Sequence, residues 1–173
     1  MTVDPVHRRA RMEQTIRTYF EGCNEADAAK MAACFTEHAV HYFPGGMPGG
    51  PWRGGRTIAD NWVHFVATLG SAWTIDRMIC DPESDQAVIE WTHWKTAQDR
   101  YLRGDEWYRF DAESGLITEI RAYYASPAAP APAGLELAGF DYAGRDYALG
   151  CPVPRPHPTA QPRPEPAAAP TDR

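Results

Sequence analysis

The fold of this chain is decided by AWTIDRMICDPESDQAVIEWTHWKTAQDRYLRGDEWYRFDAESGLITEIRAYYA, residues 72–125. Four runs within it are rich in β-branched and aromatic residues, namely 72–80, 86–96, 101–111 and 116–125. The polar segments between these runs, DPESD, AQDR and AESG, are short enough to be hairpin turns. The stretch therefore predicts a meander of four antiparallel strands.

The residues before the meander have helical spacing instead. Between Arg8 and Gly22, apolar residues recur at i, i+4, i+7 and i+8, which places them on one buried face. These residues are Met12, Ile16, Tyr19 and Phe20. The spacing predicts a first helix.

Two further helices are predicted before the meander. Asp27 can cap a helix that carries Met31, Cys34 and Phe35 and ends before a short β-rich run at 39–43. Thr57 can cap another, which Gly70 ends. Helices followed by a meander imply an α+β fold, with three N-terminal helices packed on a curved antiparallel sheet and a cone-shaped pocket between the layers.

Composition limits the function classes. The chain has 173 residues, 43% of them apolar, which suits one compact domain. A net charge of −6 argues against nucleic acid and against an anionic membrane surface as partners, since both require clustered Lys and Arg. Without a signal-peptide pattern or an apolar run of membrane-spanning length, a cytoplasmic protein is expected.

The cysteines and the C-terminal residues carry little chemistry. Cys23, Cys34, Cys80 and Cys151 lack the spacing of a zinc site, so no metal is expected and they are interpreted as small buried side chains. Residues 151–173 form a Pro-rich tail that is predicted to be disordered. The arm at 127–150 holds Leu135, Leu137, Phe140, Tyr142 and Tyr147, and could clamp the domain, cover a pocket mouth or reach another subunit.

Three segments carry a family resemblance. YFEGCNEADAAKMAACFTEHAVHYFP at 19–44, DEWYRFD at 105–111 and LITEIRAYY at 116–124 resemble the SnoaL-like and ketosteroid-isomerase-like proteins of the nuclear-transport-factor-2-like superfamily. The resemblance covers about residues 10–126 and implies a SnoaL-like domain at 1–126. It also implies a homodimer or homotrimer, because family members commonly associate through the open face of the sheet.

The resemblance places the isomerase's oxyanion hole on Tyr19 and Glu106. A carboxyl group walled in by Trp107, Tyr108 and Phe110 would lose solvation, and its pKa would rise until it could donate a hydrogen bond to an oxyanion. A core tyrosine and a salt-bridged strand glutamate are the alternatives. The isomerase's general base falls on Phe43, which cannot accept a proton, so that reaction is not expected.

His93 is the leading candidate for proton transfer. Strand alternation places Ile89, Trp91 and His93 on one face, which matches the family's pocket face. Imidazole titrates near neutrality and therefore suits acid–base chemistry, although a structural histidine is the alternative. On the run before the PGG loop, only one of His41 and Tyr42 should point inward, and the sequence leaves both possible.

These residues favour a cofactor-independent acid–base lyase. The expected reaction is an elimination or a retro-aldol-type cleavage, such as dehydration or formaldehyde release, on a small aromatic, phenolic, lignin-derived or polycyclic molecule. Tyr19, His93 and Glu106 would be catalytic, and the expected substrate-binding residues are His41, Tyr42, Phe43, Trp62, Trp91, Tyr108 and Tyr124. A polyketide-type cyclase or isomerase and a non-catalytic binding module are the alternatives.

Overall fold

The computed structural model of the chain describes residues 4–43, 49–124 and 141–155. In these ranges the helices are α1 Pro5–Glu25, α2 Ala28–Ala32 and α3 Gly55–Leu69, and the strands are β1 Phe35–Tyr42, β2 Trp52–Arg53, β3 Ser71–Asp81, β4 Gln86–Lys95, β5 Arg100–Phe110 and β6 Ile117–Tyr124. The four strands predicted for the meander are confirmed to within one residue at each end.

Helix α1 forms as its apolar spacing predicts. The Asp4 side chain accepts a hydrogen bond from the backbone N–H of Val6 and caps the first turn. The helix ends at Ala26, which adopts a left-handed conformation with φ 56°. The predicted helical face is confirmed, since its apolar side chains, Met12, Ile16, Tyr19 and Phe20, are all buried.

The second helix is shorter than predicted. Asp27 caps it as expected, but α2 ends at Ala32, and Phe35 already begins β1. Phe35 is held in the sheet by pairing with Ile117 of β6, a contact that lies far away in sequence. The helical spacing of Met31, Cys34 and Phe35 was therefore misleading, because burial on a turn and a strand can mimic it.

Helix α3 starts earlier than predicted. Gly54, with φ 86°, precedes its first residue, and no side chain caps the helix, so the expected Thr57 cap is wrong. The predicted end is confirmed, since Gly70 adopts φ 62° and donates its N–H to the carbonyl of Val66.

The sheet is curved and unclosed, with strand order β2-β1-β6-β5-β4-β3. Strands β3 to β6 pair antiparallel with their chain neighbours, as predicted. Strand β1 pairs parallel with β6, so the sheet is mixed, not purely antiparallel. Three helices packed against this sheet confirm the α+β fold class.

The helices cover one face of the sheet, called the inner face below. Alternation along β4 places Ile89, Trp91 and His93 on this face, and all three are buried. The opposite, outer face carries Trp107, which is 41% exposed. The expectation that Trp107 walls in Glu106 is therefore wrong, because adjacent residues of β5 point to opposite faces.

Part of the C-terminal arm lies against the outer face. The Arg103 guanidinium lies 4.2 Å from the Tyr142 ring centroid and donates a hydrogen bond to the Ala148 carbonyl at 3.3 Å. The Tyr147 hydroxyl donates to Glu90. Beyond the arm, Arg155 donates to the Ser71 carbonyl at 3.2 Å. The predicted arm residues Leu135, Leu137 and Phe140, and residues 156–173 of the tail, lie outside the described residues.

Candidate active site

Glu106 lies at the centre of the candidate site. It is on the inner face of β5 and is only 7% exposed. The Tyr108 hydroxyl donates a hydrogen bond to its Oε2 atom, and the His41 Nε2 atom lies 3.5 Å from its Oε1 atom. A carboxylate therefore lies buried between a phenol and an imidazole, both of which can exchange protons with it.

Tyr108 lies two residues after Glu106 on the same strand face and is fully buried. Burial, followed by the negative charge of Glu106, raises the pKa of Tyr108 well above its ordinary value. The hydroxyl therefore keeps its proton at neutral pH and acts as a donor to Glu106.

The structure answers the question about His41 and Tyr42. His41 is completely buried on the inner face of β1, whereas Tyr42 is 38% exposed on the outer face. The His41 ring stacks on Phe43 with a centroid distance of 4.0 Å. Neither ring nitrogen of His41 has a hydrogen-bond partner among the described residues. The predicted contact of Tyr42 with substrate is therefore wrong, and His41 occupies the inward position.

Tyr19 reaches the same region from α1. Its hydroxyl oxygen accepts a hydrogen bond of 2.6 Å from the Trp62 Nε1 atom of α3. Burial, then the nearby Cys23 and Glu106 side chains, raises the pKa of Tyr19 well above its ordinary value. Tyr19 and Glu106 therefore lie close enough to interact electrostatically, and the tyrosine stays protonated.

His93 lies elsewhere on the inner face. On β4, His93 pairs with Leu102 of β5, whereas Ile89 pairs with Glu106 of β5. His93 is therefore four residues along β4 from the position opposite Glu106. At the rise of a β-strand this corresponds to about 13 Å. The Trp62 ring lies between the two histidines, 5.7 Å from His41 and 6.3 Å from His93. The structure does not bring His93 together with Glu106.

The surroundings of His93 hold it as a neutral imidazole. Its Nε2 atom lies 2.8 Å from the Ser71 hydroxyl, and its ring stacks on Trp73 at 4.5 Å. Burial, then the positive charges of Lys95 and Arg100, lowers the pKa of His93 well below 6.5.

Aromatic side chains form the walls between these polar groups. Trp91 packs edge-on against Tyr124 at 6.1 Å, and its buried Nε1 atom has no hydrogen-bond partner among the described residues. Trp52 and Trp73, whose rings lie 4.9 and 5.1 Å from Trp62, were not predicted as site residues. Trp73 could have been found from strand alternation, but Trp52 lies in a Gly-rich segment with no periodic signal.

In the described ranges, no group of three or more His, Cys, Asp and Glu side chains is arranged to hold a metal ion. None of the helices described by the structure has both the length and the apolar composition needed to cross a membrane. Cys23, Cys34 and Cys80 are free and buried, as expected, whereas the free Cys151 is partly exposed.

Comparison with known proteins agrees with this architecture. A family model described as a SnoaL-like domain matches residues 16–120. No curated protein sequence is significantly similar to this chain. A crystal structure of a protein of unknown function with a cystatin-like fold from Methylobium petroleophilum PM1 is 59% identical, covers 86% of this chain and 97% of its own, and has a TM-score of 0.67.

More distant solved structures share the fold. A candidate ketosteroid isomerase from Kribbella flavida DSM 17836 is 15% identical, with 86% of this chain and 94% of that chain covered and a TM-score of 0.57. The Mycobacterium tuberculosis protein RV0760c, solved in complex with estradiol-17β-hemisuccinate, is 15% identical, with 66% and 94% covered and a TM-score of 0.56.

Proposed function

This chain belongs to the SnoaL-like domain family, and from that premise we propose that it is a cofactor-independent acid–base lyase acting on an aromatic or polycyclic molecule. The substrate would be phenolic or lignin-derived and would lose water or formaldehyde. One observation carries the proposal: the His41 imidazole is completely buried among aromatic rings, with its Nε2 atom 3.5 Å from the Glu106 carboxylate.

The proposal assigns proton transfer to His41 instead of His93. Glu106, held by the Tyr108 hydroxyl, would orient the imidazole and stabilise its protonated form by charge. Tyr19 stays protonated and would donate a hydrogen bond to a substrate oxygen, polarised by the bond that it accepts from Trp62. Phe43, Trp62, Trp91 and Tyr124 would contact the aromatic body of the substrate.

In a dehydration, His41 would take a proton from the carbon next to the bond that breaks. The electron pair of the C–H bond forms the new double bond, and the leaving hydroxyl receives the proton from the imidazolium and departs as water. In formaldehyde release, His41 would instead take the proton of a hydroxymethyl group. The C–C bond then breaks, and the carbon that keeps the electron pair receives that proton.

One comparison supports the ligand class. RV0760c, which has the same fold, binds a steroid ester, and a polycyclic ligand fits walls built from indole and phenyl rings.

A specific observation also favours an isomerase or cyclase as the second candidate. His41 stacks directly on Phe43, which occupies the position of the isomerase's base, so His41 could take over that role.

The test uses a phenolic 1,2-diarylpropane-1,3-diol as substrate, with products followed by ultraviolet absorbance and mass spectrometry. His41→Asn and Glu106→Gln should each lower turnover by about 10²- to 10⁴-fold, the usual contribution of a positioned acid or base. His38→Asn is the control, because His38 is exposed on the same strand. Full turnover in both site variants would refute the assignment. A product with unchanged mass would indicate the isomerase, and binding without turnover a binding module.

A homodimer or homotrimer is also proposed. Strand register aligns Ile79, Val88, Trp107, Arg121 and Tyr42 in one row across the outer face. Three of the five side chains in this row, Ile79, Trp107 and Tyr42, are large and apolar and are 70%, 41% and 38% exposed, and neighbouring exposed apolar side chains are typical of a subunit interface. Light scattering should report an oligomer that Trp107→Glu dissociates, and a monomeric wild type would refute the proposal.

The proposed setting is the cytoplasm. All four cysteines are unbridged thiols, which is typical of a reducing compartment. Fractionation of cells that express the native protein should recover it with cytoplasmic markers, and recovery with extracellular or membrane markers would contradict the proposal.

A further inference from the structure

Two cations lie side by side at one end of the inner face. Strand register pairs Lys95 of β4 with Arg100 of β5 on one side and with Ser71 of β3 on the other. Alternation places Lys95 on the same face as His93, and Arg100 on the same face as Leu102 and Glu106. Directly opposed residues have Cβ atoms about 5 Å apart, and like charges in such pairs destabilise a sheet.

Neither cation is neutralised by a neighbour among the residues that the structure describes. No ion pair or side-chain hydrogen bond joins Lys95 or Arg100 to another residue in the described part of the chain. Both side chains are half-buried, and the Arg100 Nε atom is buried without a partner. Asp99, which directly precedes Arg100, is exposed and forms no ion pair with either cation. An unpaired, partly desolvated cation costs free energy that a bound anion would recover.

The positive charge at this end of the sheet lowers the pKa of the basic side chains near it. Burial, then the charge of Arg100, lowers the pKa of Lys95. Burial, then the charges of the two cations, also lowers the pKa of His93, which lies two residues before Lys95 on the same face of β4. The local field is therefore positive, and no described carboxylate counteracts it.

We propose that Lys95 and Arg100 bind the carboxylate of an elongated aromatic substrate whose opposite end lies at His41 and Glu106. This inference rests on the proposed function and specifies its substrate class as an aromatic carboxylate. Arginine suits the role because its planar guanidinium can donate two hydrogen bonds to one carboxylate.

The distance between the two ends limits the length of the substrate. Arg100 and Glu106 are six residues apart on β5, which corresponds to about 20 Å between their Cα atoms. Gly104 lies between them. A Cβ atom at this position would be only 2.7 Å from the Trp91 Cζ2 atom, so the glycine leaves room for the Trp91 ring. Even with side chains reaching inward, a single benzene ring is too short, and two or more linked or fused rings are required.

The test compares two probes that differ only in charge, 4′-hydroxybiphenyl-4-carboxylate and its neutral carboxamide. Their affinities are measured by isothermal titration calorimetry. The wild-type protein should bind the carboxylate at least about tenfold more tightly, as expected for hydrogen bonds to a charged group. Lys95→Gln/Arg100→Gln should abolish this preference while the affinity for the carboxamide stays within about twofold.

The matched control is Arg9→Gln/Arg17→Gln, which removes the same charge from exposed positions on α1 and should keep the preference. The site variant should also unfold at the same or a higher temperature than wild type, because it removes a repulsive pair. Equal binding of the two probes by wild type, or a preference that survives in the site variant, would overturn the anion site and leave the His41–Glu106 proposal intact. Failure of both probes to bind would overturn the substrate class, whereas loss of turnover in His41→Asn tests the catalytic proposal separately.

Discussion

Replacing His93 by glutamine should flatten the dependence of folding stability on pH below neutrality. Burial and the charges of Lys95 and Arg100 lower the pKa of the folded imidazole well below 6.5. Glutamine can still hydrogen-bond to the Ser71 hydroxyl, which lies 2.8 Å from the His93 Nε2 atom, but it cannot bind a proton in the unfolded chain.

The direction of this pH dependence follows from the number of protons that the folded and the unfolded states bind. The imidazole of an unfolded chain has a pKa of about 6.5, so below that pH the unfolded state takes up a proton that the folded state does not. The unfolding free energy of the wild type therefore falls as pH falls, by about 1.4 kcal/mol per pH unit, until the folded-state pKa is reached. Because the unfolded imidazole is only half protonated at pH 6.5, the loss between pH 6.5 and pH 5.0 is at most about 1.7 kcal/mol, and His93→Gln should not show it.

Urea unfolding monitored by tryptophan fluorescence at pH 7.5, 6.5, 5.5 and 5.0 measures the effect. The relevant quantity is the change with pH in the stability difference between variant and wild type, because the variant also loses packing at every pH. His64→Gln is the control, since His64 is exposed on α3. If His93→Gln and the wild type lose stability in parallel as pH falls, the buried neutral imidazole is refuted.

Three other substitutions probe the packing around the site. Gly104→Ala should destabilise the protein by about 1–3 kcal/mol in thermal unfolding, because its Cβ would lie 2.6 Å from the Tyr123 carbonyl oxygen, whereas Gly150→Ala, with nothing within 4 Å, should change little. Trp62→Phe should cost about 1–3 kcal/mol in urea unfolding by removing the donor to Tyr19, and a double-mutant cycle with Tyr19→Phe should show coupling. Arg103→Gln should destabilise the fold and speed limited proteolysis after residue 140, because Arg103 joins the arm to the outer face; equal cleavage rates would contradict this.

The fold could be predicted largely because local patterns carry it. The meander strands alternate in burial and end at short polar turns, and both signals are local. The errors occurred where distant contacts decide the structure. Phe35 has helical spacing from Met31 but belongs to β1 because it pairs with Ile117, and β2 exists only through its pairing with β1, Val40 with Arg53 and His41 with Trp52. Neither pairing is visible in the local sequence.

The site was harder to predict than the fold. Tyr19 and Glu106 come close, as the resemblance implied, because a helix face and a strand face were both assigned correctly. The choice between His41 and Tyr42 depended on the register of β1, which the sequence left open. The predicted face of His93 was right, but residue periodicity does not show how far apart two residues lie along neighbouring strands, so it could not predict the separation of His93 from Glu106.

The hydrogen bonds that the buried polar groups already make favour different substrate-binding residues from those that the family resemblance implies. The Nε2 atom of His93 already has a partner in the Ser71 hydroxyl, so a substrate would have to share or displace that bond, whereas the Tyr19 oxygen accepts from Trp62 and its own O–H can still donate. The His41 ring nitrogens, the Trp91 Nε1 atom and the Arg100 Nε atom are buried and, among the described residues, have no hydrogen-bond partner. A folded chain that leaves buried donors unpaired loses about 1–3 kcal/mol for each, a loss that a ligand can reverse. These three side chains are on the inner face, on β1, β4 and β5, so one elongated molecule could contact them together, whereas the other buried unpaired atoms of the described residues, Trp94 Nε1 and Arg121 Nε, belong to the outer face. The unsatisfied groups therefore indicate where substrate would bind beside the Tyr19 hydroxyl, whereas His93 is better explained as a group that holds the walls in place.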